Sequence, residues 1–308
     1  MKIEINEEID RKLWNHFSNE KIFFRFEWYY ILQESYGLKP YFILVYEDEK
    51  FALIASFKIS GKYISMPFVN YSGFLSNDEK ILTILKEHLQ ENNIDIDSRD
   101  LLDKEVESGY VNPIAKFESM DDFWKNIQSR FRGLMRKSQR QDLSFKIDDK
   151  FDKFYNTYLL GMRNLGTPAH GKKYFEKLME YIPYHIFTVY DNDKCIGSLF
   201  CLNDNDTLLV LYAYTLPEYS KKYANYFLYL NTIEWMTQNH LVYLDMGRST
   251  YNEGTYHFKK KFKPKFYAIN SKINYSNDSK MQLASNIWKK LPLPVANFIS
   301  PYARRYLP

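Results

Sequence analysis

Several residues of this chain have the type and setting to do chemistry. His170 closes the turn Gly166-Thr167-Pro168-Ala169-His170 ahead of a predicted helix, and imidazole is the side chain that titrates near neutral pH. Asp245 ends a predicted strand, the position where α/β clefts place ligand groups, and can hold an ammonium or accept its proton. Arg248 follows closely, with a guanidinium that forks onto phosphate or carboxylate. Lys259, Lys260, Lys261, Lys263 and Lys265 form one basic run; Arg132, Arg136 and Lys137 belong to another. A charge run is usually a solvated face, but an anionic ligand needs one too. Tyr212 and Tyr214 share one face of a predicted strand and read as core or as cleft-lining phenols. Lys221 and Lys222 stand just before a predicted helix, where free N–H groups favour an anion; they read equally as a solvated pair.

Other chemistries lack their parts. The sequence has no Cys/His metal spacing, P-loop, G-x-S-x-G or dinucleotide fingerprint, so no metal is expected, nor phosphoryl transfer, hydride transfer or serine hydrolysis. Cys195 and Cys201 fall in one predicted strand, ~20 Å apart. They cannot bond to each other, and the chain reads as cytoplasmic and reduced. Forty-two basic against 38 acidic residues give a net charge of +4, too weak for a dedicated nucleic-acid binder, so DNA is not an expected partner. The longest apolar run, Leu208 to Leu216, is too short to span a bilayer, and no signal peptide opens the chain. The 308 residues suit two compact units, and 45% hydrophobic with 26% charged residues is a globular balance. The 27 Tyr and 23 Phe fit either codon bias in an AT-rich genome or tyrosine-lined clefts.

The elements that would position these residues occur twice. Tyr41–Tyr46, an acidic turn closed by Lys50, and Phe51–Phe57 read as a hairpin; so do Tyr184–Tyr190, a turn closed by Lys194, and Cys195–Leu202. Tyr46 matches Tyr190 and Lys50 matches Lys194 at one offset of 144. A third strand follows each hairpin (near Tyr63; Thr207–Thr215), then a helix (Asn77–Glu91; Ala224–Gln238) and a fourth strand (Ile94–Ile96; Val242–Asp245). Leading helices are predicted over Glu27–Tyr36 in the first half and over Phe151–Asn164 and Lys172–Tyr181 in the second. The crossover makes each third and fourth strand parallel, so each half is an α+β unit with a mixed sheet flanked by helices. The expected division is residues 1–119, a basic helical connector over 120–141, and 142–308.

A hairpin, third strand, crossover helix and fourth strand is the plan of the GCN5-related N-acyltransferases. Doubled, it is the plan of the Fem-type enzymes, which build peptide bridges on peptidoglycan precursors. The chain resembles the Fem-like branch of that superfamily over nearly its whole length, in Glu27-Trp28-Tyr29, Ser65-Met66-Pro67-Phe68 with Tyr71-Ser72-Gly73, and Phe131–Lys137. Met162–His170, Asp245-Met246-Gly247-Arg248-Ser249, Gly254–Lys260 and Leu291–Ala296 carry it further. It departs at Pro217–Asn225, which lacks the glycines that cradle a CoA pyrophosphate in acetyl-CoA-dependent members.

The resemblance implies an N-acyltransferase with acyl-CoA as co-substrate and the amine of a nucleotide-linked amino sugar or similar cell-envelope precursor as acceptor. An aminoacyl-tRNA donor and a non-catalytic binding duplicate of the fold are the alternatives. On this reading Asp245, His170 and Tyr212 are catalytic. Lys221, Lys222, Asn225, Arg248 and Lys259 bind the donor on the second half, while Asn70 and Tyr71 of the first half, Arg132 and Arg136 of the connector, and Thr167 bind the acceptor.

Overall fold

The structure, a computed structural model, describes residues 1–19, 21–104, 108–148, 150–272 and 279–307. Its first sheet contains β1 (Lys2–Ile5), β2 (Lys39–Glu47), β3 (Lys50–Ile59), β4 (Lys62–Ser65), β5 (Leu75–Ser76) and β6 (Ile96–Asp97). Their order is β1-β2-β3-β4-β6, with β5 paired on β3. The second contains β7 (Asp100–Leu102), β8 (Tyr110–Lys116), β9 (Ser144–Ile147), β10 (Tyr184–Asp191), β11 (Lys194–Asp204), β12 (Thr207–Thr215), β13 (Tyr243–Asp245), β14 (Ser249–Thr250) and β15 (Lys265–Asn270). Its order is β7-β15-β8-β13-β12-β11-β10-β9, with β14 on β8. The first half carries helices α1 (Arg11–Phe17), α2 (Trp28–Tyr36) and α3 (Glu79–Glu91), and α4 (Met120–Asn126) and α5 (Ser129–Gln139) follow. Then come α6 (Phe151–Leu165), α7 (Lys172–Tyr181), α8 (Ala224–Gln238), α9 (Gly254–Lys260), α10 (Ser279–Lys290) and α11 (Leu293–Arg304).

The repeat is real in three dimensions. Glu47 pairs with Lys50 and Asp191 with Lys194 at the two hairpin turns. The third and fourth strands are parallel in both halves, Tyr63 opposite Ile96 and Leu208 opposite Leu244. In α3, Ile81, Leu85 and Leu89 stack one turn apart on Ile43, Val45, Ala52 and Ile54, and the Asp78 carboxylate caps the Lys80 and Ile81 N–H groups. In contrast, α8 lies between the second sheet and α5, so it buries residues around much of its girth.

Sheet membership changes between Asp97 and Asp100, not at residues 119–141. The strands β7 and β8 come from a stretch the sequence placed with the first half, yet they pair with β15, β13 and β14 of the second. The connector is two helices, and it is no free bridge. Phe131 and Met135 of α5 are buried in the second half's core beside Leu228 and Phe262.

One apolar core joins the halves. Phe42, Leu44, Phe57 and Trp28 from the first pack in the same cluster as Phe154, Phe175, Phe200 and Leu209 from the second. The aromatic surplus is spent largely here, where flat rings meet edge to face, as between Trp14 and Phe26 or Phe154 and Phe175. Tyr30 of α2 also stacks on Tyr181 of α7 at 6.0 Å. The two sheets are therefore held as one frame, and clefts at their seam have fixed walls.

Candidate functional site

The split between β12 and β13 is the centre of the site. Their pairing ends at Leu209 opposite Asp245, and beyond it the strands part. Two local features force the parting. The register of β12 against β11 slips between Phe200 and Cys201, leaving Leu211 outside the ladder as a bulge. On the other side the chain turns at Gly247, whose φ of +74° suits glycine. A Cβ there would lie 2.8 Å from the Val210 carbonyl oxygen, so the close approach also requires glycine.

A cavity of about 530 Å³ fills the split, walled by Leu211, Ala213 and Tyr214 on one side and Met246, Gly247 and Arg248 on the other. The first turn of α8 closes one end with Ala224, Asn225 and Tyr226. Its N-cap, Tyr223, is left-handed and offers no side-chain hydrogen bond, so the positive end of the helix faces the cavity without a side-chain cap. Among the described residues the lining includes two basic side chains, Arg248 and Lys259, and no carboxylate. Gly161 of α6 lets Tyr214 lean against that helix: a Cβ there would meet the ring at 2.5 Å. The Tyr214 hydroxyl accepts a hydrogen bond from Asn164 Nδ2 at 2.7 Å.

Behind the cavity lies a buried polar cluster. The Asp245 Oδ1 accepts from Asn112 Nδ2 on β8 and from the Gly247 N–H, both at 2.8 Å. Burial raises the carboxyl's pKa, against the hydrogen bonds of Gly247 and Asn112, the nearby Tyr71 phenol and the Lys259 charge. The Tyr71 phenol, itself raised first by burial and then by Asp245, leans on the carboxylate. Asp245 Oδ2, Asn112 Oδ1 and Ser249 Oγ are buried and make no hydrogen bond with any described residue. So many uncommitted polar atoms in adjoining strands mark a place built for more than packing.

Lys259 is the unexpected member. In the sequence it opens a lysine run, but α9 turns it inward with Tyr256, one turn away, leaving Lys260 exposed. Its Nζ donates to the carbonyls of Gly247 at 2.7 Å and Arg248 at 3.1 Å. Burial pushes its pKa down to about 7, opposed by Asp245 and reinforced by Arg248. A neutral amine has two N–H groups and one lone pair. Two carbonyls take the N–H groups, which frees the lone pair for a group in the cavity.

The other sequence candidates divide sharply. Asn225, Arg248, Lys259 and Asn70 line the split; Asn70 Nδ2 reaches the Val210 carbonyl at 3.4 Å, and the Arg248 guanidinium lies over the Tyr110 ring at 4.8 Å. Lys221 and Lys222 do not line it. They sit on the 3-10 turn Pro217–Lys222, and Lys222 Nζ is drawn to Asp191 at 2.5 Å. Arg132 and Arg136 are also elsewhere, grasping Trp124 through its carbonyl (3.0 Å) and its ring. Thr167 is tied into the turn after α6, its N–H donating to the Met162 carbonyl at 3.0 Å.

His170 and Tyr212 belong to an aromatic box at the seam, not to the split. The imidazole is fully buried and stacked on Tyr174 at 4.2 Å. Arg304 Nε donates to its Nε2 at 3.1 Å, so Nδ1 carries the proton and donates to the Tyr36 hydroxyl at 2.5 Å. Burial, then the Arg304 charge, pushes its pKa well down. Tyr212 Oη meets Tyr174 Oη at 3.5 Å in the same box. Sequence reasoning overlooked Asn112; the signal was an amide in the middle of the otherwise apolar stretch Val111–Ala115.

A second cavity of about 940 Å³ lies across Tyr71, with walls from both halves. It presents Asp95, Asp100, Asp204 and Asp206 together with Lys21, Lys86 and Lys272. Tyr71 lines it while leaning on Asp245, and its neighbour Asn70 lines the first cavity. The residues between Tyr71 and Asp245 thus form the partition between two chambers.

A split between parallel strands, a helix N-terminus at its end and the whole unit repeated define an acyltransferase fold. Residues 125–260 match the family described as an acetyltransferase (GNAT) domain. The fold of the whole chain is that of a tandem of GNAT-like units in a Fem-like, double-domain arrangement. In fold it is similar to FemX, with 12% identity over 88% of this chain and 96% of that one and a TM-score of 0.66. It is also similar to L-PGS from Bacillus licheniformis, with 13% identity, 94% and 100% coverage and a TM-score of 0.55. A third likeness is the C-terminal domain of a putative lysylphosphatidylglycerol synthetase from Agrobacterium fabrum, at 11% identity, 82% and 89% coverage and a TM-score of 0.54. No curated protein matches the sequence. No helix among the described residues is long and apolar enough to cross a membrane.

Proposed function

We propose that the protein is an N-acyltransferase that moves an acyl group from acyl-CoA to the amine of a nucleotide-linked amino sugar or a similar cell-envelope precursor, in the cytoplasm. One observation carries the reading: the β12–β13 split, with the uncapped start of α8 at its end and the buried Lys259 amine in its wall. The donor enters the split with its carbonyl beside the Leu211 bulge and its anionic end towards α8 and Arg248. The acceptor comes from the larger chamber, whose carboxylates suit an ammonium and whose lysines suit phosphate.

Lys259, with a pKa of about 7, takes a proton as the acceptor nitrogen attacks the thioester carbon. The new C–N bond forms and the C–S bond breaks; Lys259 hands the proton it took to the departing sulfur, which leaves as the free thiol of CoA, and the amine is neutral again. Asp245 and Tyr71 hold the partition at which the two substrates meet.

A second reading has aminoacyl-tRNA as donor. It is favoured by the turn Pro217–Lys222, which replaces a glycine cradle with a 3-10 helix whose lysines are off the cavity wall. Incubation with acyl-CoA, amino-sugar nucleotides and a thiol reagent separates the two. Thiol release that requires the amine supports the first reading. Consumption of charged tRNA with no thiol released overturns it in favour of the second.

A further inference from the structure

The amphipathicity of α11 is inverted. Its inner face, towards the protein, is small or polar: Ala296 and Ser300 are buried at 1% and 2% exposure. Its outer face carries Phe298 at 76% and Tyr302 at 69%, one turn apart with rings 6.4 Å from each other. On α10, Leu283 at 63% and Ile287 at 56% repeat the pattern. Both helices rest on α6, so both outer faces look away from the body. The pair is pinned in this attitude. Arg163 Nε donates to the Leu291 carbonyl at 3.1 Å, between the two helices, and Arg304 holds the inner face of α11 to His170.

An exposed apolar face of this kind needs an occupant, and the charge around it selects one. From Ser279 to Pro308 the sequence holds Lys280, Lys289, Lys290, Arg304 and Arg305 and not one Asp or Glu. The rest of the chain is nearly balanced, so this stretch departs from its own protein. Large aliphatic and aromatic side chains facing out, flanked by cations alone, complement a surface that is anionic outside and apolar just beneath. At 12 residues each, the helices are too short to cross a bilayer and suited to lie on one.

We propose that α10 and α11 dock the protein on an anionic phospholipid surface, with Leu283, Ile287, Phe298 and Tyr302 entering the headgroup boundary and Lys289 and Lys290 contacting the headgroups. The proposal rests on these helices alone and stands whichever acyl donor the split takes.

Flotation with vesicles tests it, using equimolar phosphatidylglycerol and phosphatidylcholine against phosphatidylcholine alone. The protein should float with the anionic vesicles and remain behind with the neutral ones. Phe298→Asp with Tyr302→Asp should lower partitioning at least ~tenfold, and Lys289→Glu with Lys290→Glu about thirtyfold. These side chains are exposed, and an unchanged near-UV circular dichroism spectrum checks that each variant is folded. Equal flotation of either variant and the parent overturns the proposal, as does a parent that binds neither vesicle. A stable dimer in solution that Phe298→Asp with Tyr302→Asp dissociates also overturns it, because the face then belongs to a second copy.

Discussion

Replacing Lys259 by methionine isolates the least ordinary group in the molecule. Its ammonium is disfavoured by burial, so its pKa falls from 10.5 to about 7. In the unfolded chain the lysine keeps its ordinary value. Between those two values the unfolded state binds more protons than the folded one, and stability rises with pH. The slope is about 1.4 kcal/mol per pH unit, so the wild type should gain about 3–4 kcal/mol on the variant between pH 7 and pH 10. Below pH 7 both states are protonated and the difference is flat. Methionine also leaves the Gly247 and Arg248 carbonyls without their donor, costing about 1–3 kcal/mol each, but that cost does not change with pH. Urea unfolding of both proteins across the range measures the difference directly. A difference that stays level from pH 7 to pH 10 would show that the lysine is charged in the fold and would refute the assignment. With the amine acceptor in place, the variant should also lose about 10²–10⁴ in turnover.

Gly247→Ala should cost about 1–3 kcal/mol in chemical unfolding, through the left-handed φ and the 2.8 Å approach to Val210, and should raise the donor KM; an unchanged KM would count against the split as the donor site. His170, buried and neutral, lowers stability as pH falls below 6.5, because only the unfolded state then takes up its proton. Against His170→Gln the wild type should therefore lose ground by up to about 1.4 kcal/mol per unit below pH 6.5, while the donor KM of the variant is unchanged; a flat difference would mean the imidazole is charged in the fold. Arg132→Ala and Arg136→Ala should each lower stability by about 0.5–1 kcal/mol through Trp124 and leave both KM values within about twofold. An acceptor KM raised tenfold by either would restore those arginines to the binding site.

Both hairpins and both crossovers were legible in the sequence because their signals are local. The acid-then-lysine turns, the short runs of β-branched and aromatic residues in β2 and β10 and the spacing of Ile81, Leu85 and Leu89 need no distant partner. The strands β7, β8 and β15 were not legible, since they are held by pairing across some 150 residues of chain, Ala268 opposite Leu102 and Val111. Pro113 also argues against a central strand. At the site, Asp245 and Asn70 could be found because strand ends and the segments after them face clefts. The inward turn of Lys259 could not, because a lysine run reads as a solvated face until the phase of α9 is known. Titratable character brought His170 forward, but only the packing of two sheets shows that Tyr36, Tyr174 and Arg304 surround it. The pair Lys221 and Lys222 carried the right charge in the right place along the chain, and the 3-10 turn with Asp191 directs it elsewhere.

A crystal structure with a non-hydrolysable acyl-CoA analogue bound tests the central claim most directly. The pantetheine should lie between Val210–Thr215 and Met246–Arg248, with the acyl carbonyl beside Leu211 and within reach of Lys259 Nζ. A donor analogue seated outside that split, with the β12–β13 gap filled by side chains in a protein that is active under the same conditions, would contradict it.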